Sequence, residues 1–181
     1  MKRRLIDSCL SKMQQGDNDA FAELYEGTRR GLFSFLYDYY RDFHKTEDAV
    51  QWVYLRIKQN VDKYTPGTSG INWMLSVAKN YALNELKRDS RIEYGLPEET
   101  EGVGFDDGCI SELMSRVLSH DEVQIMILHV IFGYKHREIS RIMDIPQGTV
   151  TSKYKRSLDK MRSAISEIDG STSDIKKGKE R

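Results

Sequence analysis

The sequence predicts an all-α protein made of two small helical domains joined by a flexible acidic linker, and three observations carry that expectation. Apolar residues recur at 3.6-residue spacing along most of the chain, whereas strand-like alternation is scarce. The periodicity fails between Asp89 and Gly108, where glycines and carboxylates leave little to bury. Charge is segregated along the chain although the formal net charge is zero. Residues 1–88 hold 14 basic against 11 acidic side chains (+3), residues 89–112 hold 1 against 8 (−7), and residues 113–181 hold 13 against 9 (+4). Basic flanks around an acidic segment suggest a polyanionic partner.

The elements follow in order. Leu5, Cys9 and Met13 form a short apolar stripe that ends at Gly16. Asp17-Asn18-Asp19 offers N-caps for a second helix whose apolar face runs through Phe21, Leu24, Tyr25, Leu32, Phe35, Leu36 and Tyr39. A third helix is expected after Thr46, with Glu47 and Asp48 in its first turn, where carboxylates suit the helix dipole. Its buried side is Val50, Val53, Tyr54, Ile57 and Val61. The run Thr65-Pro66-Gly67-Thr68-Ser69-Gly70 breaks helix, and a fourth helix then carries Met74, Val77, Ala78, Tyr81, Ala82 and Leu86 on one face. Beyond the linker, Ile110, Leu113, Met114, Val117 and Leu118 resume the period. Ser119 and Glu122 have capping-box spacing, Val123 to Ile131 continue as a buried helix, and Gly133 is placed to end it. The expected boundaries are a first domain at 1–91, the linker at 92–109, a second domain at 110–168 and a disordered Lys-rich tail at 169–181.

Tyr134 to Met161 has the pattern of a helix-turn-helix. Two short helices joined by a tight turn need a small residue where they cross, a turn residue that accepts positive φ, and an aliphatic early in the second helix. Ser140, Asp144 and Val150 stand at those places, and Asp tolerates the left-handed region better than most residues. Pro146 suits the helix entrance because no amide donor is missed there. The outer side of the second helix presents Thr149, Ser152, Lys153, Arg156 and Lys160, flanked by Thr151 and Lys155. Hydroxyls at the start and cations further along fit a helix in the major groove, with base edges read first and phosphates gripped later.

Other classes lose ground on composition. No apolar run approaches the ~20 residues of a membrane span, and the first residues lack the apolar stretch of a secretory signal. Cys9 and Cys109 are isolated thiols, so a reducing compartment is expected, with the cytoplasm as the default. His44, His120, His129 and His136 form no metal-binding pair, and no phosphate loop or nucleophile elbow is present, so neither a metal, a cofactor nor a catalytic residue is expected. His129, in an apolar helix, reads as a satisfied core residue.

Four blocks carry a resemblance. Gly16 to Tyr25 (GDNDAFAELY), Glu47 to Arg56 (EDAVQWVYLR), Asn72 to Arg88 (NWMLSVAKNYALNELKR) and Ile145 to Lys153 (IPQGTVTSK) resemble, in this order, successive segments of bacterial RNA polymerase sigma factors of the extracytoplasmic-function (ECF) subfamily of the sigma-70 family. The likeness spans about residues 16–91 and 110–165. It implies a two-domain initiation factor, region 2-like then region 4-like, whose partners are core RNA polymerase, promoter DNA as duplex and as melted non-template strand, and an anti-sigma protein.

The resemblance also implies roles for particular residues. Asp48, Gln51, Trp52 and Arg56 would face core polymerase, with Trp52 replacing an acidic residue common there. Asn80 and Asn84 would read the −10 element by their amides, with Lys79, Lys87 and Arg88 on the backbone. The loop from Tyr64 to Ile71 corresponds to a pocket for a flipped base, with Tyr64 as its stacking surface and Trp73 as core. Thr149, Thr151, Ser152, Lys153, Lys155 and Arg156 would contact the −35 element. The acidic linker would lie in a positively charged channel of the polymerase. The alternative from the residues alone is a helix-turn-helix regulator that acts on duplex DNA without recruiting polymerase, and it leaves Asp48, Gln51 and Trp52 without a purpose.

Overall fold

The computed structural model describes residues 3–89 and 107–177, with side chains described for 5–88 and 109–168. Among these residues there is no strand. Eight α-helices follow in order: α1 (Arg3–Gln14), α2 (Asp19–Tyr40), α3 (Phe43–Asn60), α4 (Gly70–Asp89), α5 (Asp107–Val117), α6 (His120–Met126), α7 (His136–Met143) and α8 (Gln147–Lys177). A short 3-10 turn at Val61–Lys63 follows α3, and a π turn at Ile127–Ile131 follows α6. Among the described residues no helix is long and apolar enough to cross a membrane.

Capping explains several boundaries. Asp17 caps α2 by accepting from the amides of Asp19 and Ala20 at 2.9 and 3.1 Å. The third helix starts at Phe43, earlier than expected from Thr46. Asp42 is its N-cap, accepting from the Lys45 amide at 2.8 Å, while the Thr46 side chain is buried one turn in and donates to the Asp42 carbonyl. Ser119 and Glu122 make the expected capping box at α6. At the far side of the linker, α5 begins at Asp107 rather than 110. At the C-terminus α8 continues through Lys177, across residues expected to be disordered. Once a helix is nucleated each further residue adds a hydrogen bond, so a helix can propagate past the point where the apolar period ends.

The first domain packs α1, α3 and α4 around α2. Leu24, Leu32 and Leu36 of α2 meet Val53 and Ile57 of α3, Ile71, Met74 and Ala78 of α4, and Ile6 and Leu10 of α1 in one core. Thr28 and Tyr54 share a buried hydroxyl–hydroxyl bond of 2.6 Å, so the α2–α3 seam contains a satisfied polar pair. From Gly31 to Tyr37 every residue of α2 is buried. A helix buried on all sides must be covered by more than one neighbour, and the second cover here is the other domain: α5, α6 and the π turn all lie against α2.

In the second domain the π turn departs from the expected continuous helix. The Phe132 amide donates to the Ile127 carbonyl at 3.1 Å, a five-residue step that widens the helix before Gly133 at φ +73°. The extra residue rotates the register, so Val130, expected inside, is 60% exposed, while Phe132 is buried.

Candidate nucleic-acid interface

The helix-turn-helix forms as its residue types require. Asp144 adopts φ 53°, ψ 47°, and its amide donates to the Ser140 carbonyl to close α7. The small Ser140 side chain donates to the Ile145 carbonyl at 2.6 Å and so fixes the turn. Val150 is fully buried against the same core as Ile139. The Pro146 carbonyl accepts from the Val150 amide at 3.1 Å, leaving the proline ring at the entrance of α8.

The outer stripe of α8 divides into two sets. Ser152, Lys155 and Arg156 are exposed, with the Ser152 hydroxyl bonded to the Thr149 carbonyl at 3.0 Å. Lys153 and Lys160 turn back toward α6, pairing with Asp121 at 2.6 Å and Glu122 at 2.8 Å. Thr149 is half-buried. Thr151 donates to the Gln147 carbonyl at 3.0 Å and lies 3.1 Å from His136 Nδ1, so its hydroxyl is held by its own domain. The expected row of six −35 candidates is thus brought to one helix, but only Ser152, Lys155 and Arg156 of them are exposed, and Lys153 shares its charge with a carboxylate. An ion pair as exposed as this contributes little, ~0–1 kcal/mol, so a phosphate can displace it.

Behind α8, three rings pack together: His129, His136 and Tyr154, with centroids 4.6 to 5.0 Å apart. The His129 Nδ1 donates to the Tyr134 carbonyl at 2.7 Å, which makes it the satisfied core residue expected. Burial, then the neighbouring His129, lower the His136 pKa from its usual 6.5. Glu122 is also shifted. Burial alone would raise its pKa, but hydrogen bonds from Lys160 and from the Ser119 amide and hydroxyl outweigh it and hold the carboxyl below 4.5. In both cases the unfolded chain takes up protons at a higher pH than the folded one, so acid favours unfolding. Melting followed at several pH values should therefore show stability complete above about 6.5, declining as His136 charges and again as Glu122 protonates. Glu122→Gln should remove the lower step alone; a melting temperature that does not fall between pH 7.5 and 4 would contradict this.

In the first domain, α3 presents Asp48, Gln51, Trp52 and Arg56 on its exposed side, at spacings that place them in one stripe. Trp52 is 50% exposed, and Leu55, which sequence reasoning passed over, stands beside it 43% exposed. The two large apolar side chains form an exposed apolar patch on an otherwise polar helix face. Leu55 was detectable only as an apolar residue out of phase with Val50, Val53, Tyr54 and Ile57.

On α4, Lys79, Asn80, Asn84, Lys87 and Arg88 are all exposed, and Arg88 pairs with Glu85 at 2.7 Å. Tyr64 is different. It is 2% exposed, its ring sits 5.8 Å from that of Trp73, its hydroxyl donates to Asp7 at 3.2 Å, and its carbonyl accepts from Gln14 at 2.7 Å. Asp7 also accepts from the Gly70 amide at 2.7 Å, and a Cβ on Gly70 would come within 2.6 Å of that carboxylate. Tyr64 therefore pins the loop to α1 and is no stacking surface. Trp73, expected as core, is half-buried against it.

Among the described residues no group of His, Cys, Asp or Glu is placed to hold a metal ion. Two family models match the chain: "Sigma-70 region 2" over residues 24–92 and "Sigma-70, region 4" over residues 112–161. Among curated proteins it is 21% identical to the ECF RNA polymerase sigma factor SigW of Bacillus subtilis, covering 91% of this chain and 98% of that one. It is 24% identical to the RNA polymerase sigma factor CarQ of Myxococcus xanthus, covering 88% and 97%. Among solved structures the fold is similar to that of CnrH in complex with the cytosolic domain of CnrY, with TM-score 0.61, 13% identity, and 90% and 98% coverage. It is also similar to the sigma factor RpoE in complex with the anti-sigma factor NepR from Bartonella quintana, with TM-score 0.54, 18% identity, and 75% and 89% coverage.

Proposed function

We propose, from the premise that this chain belongs to the sigma-70 family and is of its ECF type, that it binds core RNA polymerase and reads −10 and −35 promoter elements. The observation that carries this reading is a pair of exposed stripes in the first domain that differ in chemistry. One, on α3, is apolar at its centre with Trp52 and Leu55; the other, on α4, carries amides and cations. A regulator acting on duplex DNA alone needs α8 but has no use for the α3 stripe.

On this reading Asp48, Gln51, Trp52 and Arg56 grip the polymerase, and Leu55 joins them. Asn80 and Asn84 hydrogen-bond exposed base edges, with Lys79, Lys87 and Arg88 on phosphates. At the other element Ser152 and Lys155 stand nearest the bases. Arg156 holds phosphate, while Thr149, Thr151 and Lys153 shape the entrance of α8. Without Tyr64, base capture in the 64–71 loop falls to the accessible part of Trp73. Of two structures of similar fold, one is a complex with the cytosolic domain of CnrY and the other a complex with the anti-sigma factor NepR, and the second supports a protein regulator of the anti-sigma kind for this chain as well. The chemistry described is binding throughout, and no enzymatic step is part of it.

The test is run-off transcription with purified core polymerase on a promoter template. Asn80→Ala with Asn84→Ala should lose discrimination at −10 positions by about 1–3 kcal/mol per base contact while leaving polymerase binding intact. Arg156→Ala should weaken promoter binding and lower the slope of log affinity against log salt by ~0.9, because each neutralised phosphate releases counterions in that proportion. An unchanged slope in the salt titration removes the phosphate role from Arg156.

A further inference from the structure

The recognition helix is braced from behind by a ring cluster whose hydrogen-bond roles follow from the partners. His129 Nδ1 lies 2.7 Å from the Tyr134 carbonyl, which can only accept, so that nitrogen carries the proton. His136 opens α7, where the Glu138 carboxylate accepts from the Lys135 amide at 3.0 Å and fixes the first turn. Its Nδ1 lies 3.1 Å from the Thr151 hydroxyl, one turn into α8. That hydroxyl has a single proton and spends it on the Gln147 carbonyl at 3.0 Å. Toward His136 it therefore accepts, and Nδ1–H is the donor. The proton is thus absent from His136 Nε2, which is buried without a hydrogen-bond partner among the described residues. Burial of the ring, and then His129, favour the same neutral form. The Tyr154 ring closes the cluster, 5.0 Å from His136 and 4.6 Å from His129.

The cluster decides what Thr151 has left to offer DNA. A threonine in a helix ordinarily divides between two side-chain rotamers. The second bond, from His136, holds Thr151 in one of them. Its hydroxyl then has no proton for a base, and one of its lone pairs is already taken. The methyl group remains. Lys155, one turn further on, is exposed on the same side of the helix. The early residues of a helix in the major groove meet base edges, and the feature there that a threonine methyl packs against is the 5-methyl of thymine. A hydroxyl free to rotate bonds to donors and acceptors alike and selects little; a fixed methyl selects.

We propose that His136 is a specificity-determining residue of the upstream DNA reader: by fixing the Thr151 hydroxyl against α8 it leaves the Thr151 methyl as the contact, and that methyl selects a thymine through its 5-methyl group. This rests on α8 reading the upstream element, as in the sigma-factor reading. Duplexes enriched from a random pool by the full chain with core polymerase supply the upstream motif. Deoxyuridine, which lacks the methyl, then replaces each thymine on both strands in turn. One position should lose about fourfold in affinity, the value of one buried methyl or methylene group. Thr151→Ser should abolish that dependence and Thr151→Val should keep it. His136→Phe retains a ring between His129 and Tyr154 but has no donor, and it should bring the ratio of thymine to deoxyuridine affinity toward one. His136→Asn restores an N–H at the same distance along the side chain and should recover the ratio. A variant that merely weakens the fold lowers both affinities alike and leaves the ratio unmoved. The absence of any thymine whose methyl matters overturns the proposal, as does a ratio unchanged in His136→Phe with the parent's circular dichroism. If the chain enriches the same motif alone and polymerase adds nothing to the selection, the sigma-factor reading fails, and the methyl test is read on that motif. Enrichment of no motif by either preparation overturns both.

Discussion

Val150→Asp is expected to unfold the second domain and abolish contact with the upstream element while leaving polymerase binding in place. Val150 is fully buried where α8 crosses α7, with Ile139 equally buried in the same core. A carboxylate there would replace an apolar side chain at full burial, and an uncompensated buried charge costs about 3–5 kcal/mol. That is a large share of what a small domain has in total. The packing of α1, α3 and α4 on α2 does not involve Val150, so the α3 stripe should stay in place. The measurement is a pair of binding assays, one with core polymerase and one with duplex promoter DNA. Loss of both together would mean the two domains cannot fold separately.

Trp52→Ala should do the converse. A half-exposed tryptophan contributes nothing essential to the fold, so the melting temperature should hardly move. At an interface, truncating such an anchor typically costs about 2 kcal/mol or more, which is a roughly 30-fold loss in affinity. Core polymerase binding, measured by fluorescence anisotropy of labelled protein, should fall by that order. The affinity of α8 for duplex DNA should be unchanged. Leu55→Ala should weaken the same complex to a smaller degree, because it removes less area from the same patch. Wild-type affinity for polymerase in Trp52→Ala would move the docking face off α3.

Much of this architecture was legible in the sequence because it rests on local rules. The 3.6-residue period placed the helices, Ser119 and Glu122 announced their capping box, and Asp144 marked a turn where a non-glycine residue takes positive φ, while Arg41, which does the same at the end of α2, gave no such sign. What escaped depends on tertiary context. Tyr64 opens a loop that corresponds by position to a base pocket, and only Asp7 and Gln14, some fifty residues away in sequence, reveal that it is an anchor. The π turn at Ile127–Ile131 leaves no trace in apolar spacing, so Val130 was placed inside when it faces out. Lys153 and Lys160 belong to the recognition stripe by spacing, but Asp121 and Glu122 of another helix draw them away. The α2 run from Gly31 to Tyr37 did carry a signal. A helix apolar on all sides, with a glycine in its middle, asks for a second partner, and that partner is the other domain.

The central claim is that this chain gives core RNA polymerase its choice of start site. Sequencing the 5′ ends of transcripts made in vitro on genomic DNA, with core polymerase alone and with this protein added, tests it most directly. A new set of start sites should appear only with the protein, share a common pair of upstream sequence elements, and vanish with Trp52→Ala. Start sites unchanged by the protein, or binding to duplex DNA that only represses, would contradict it.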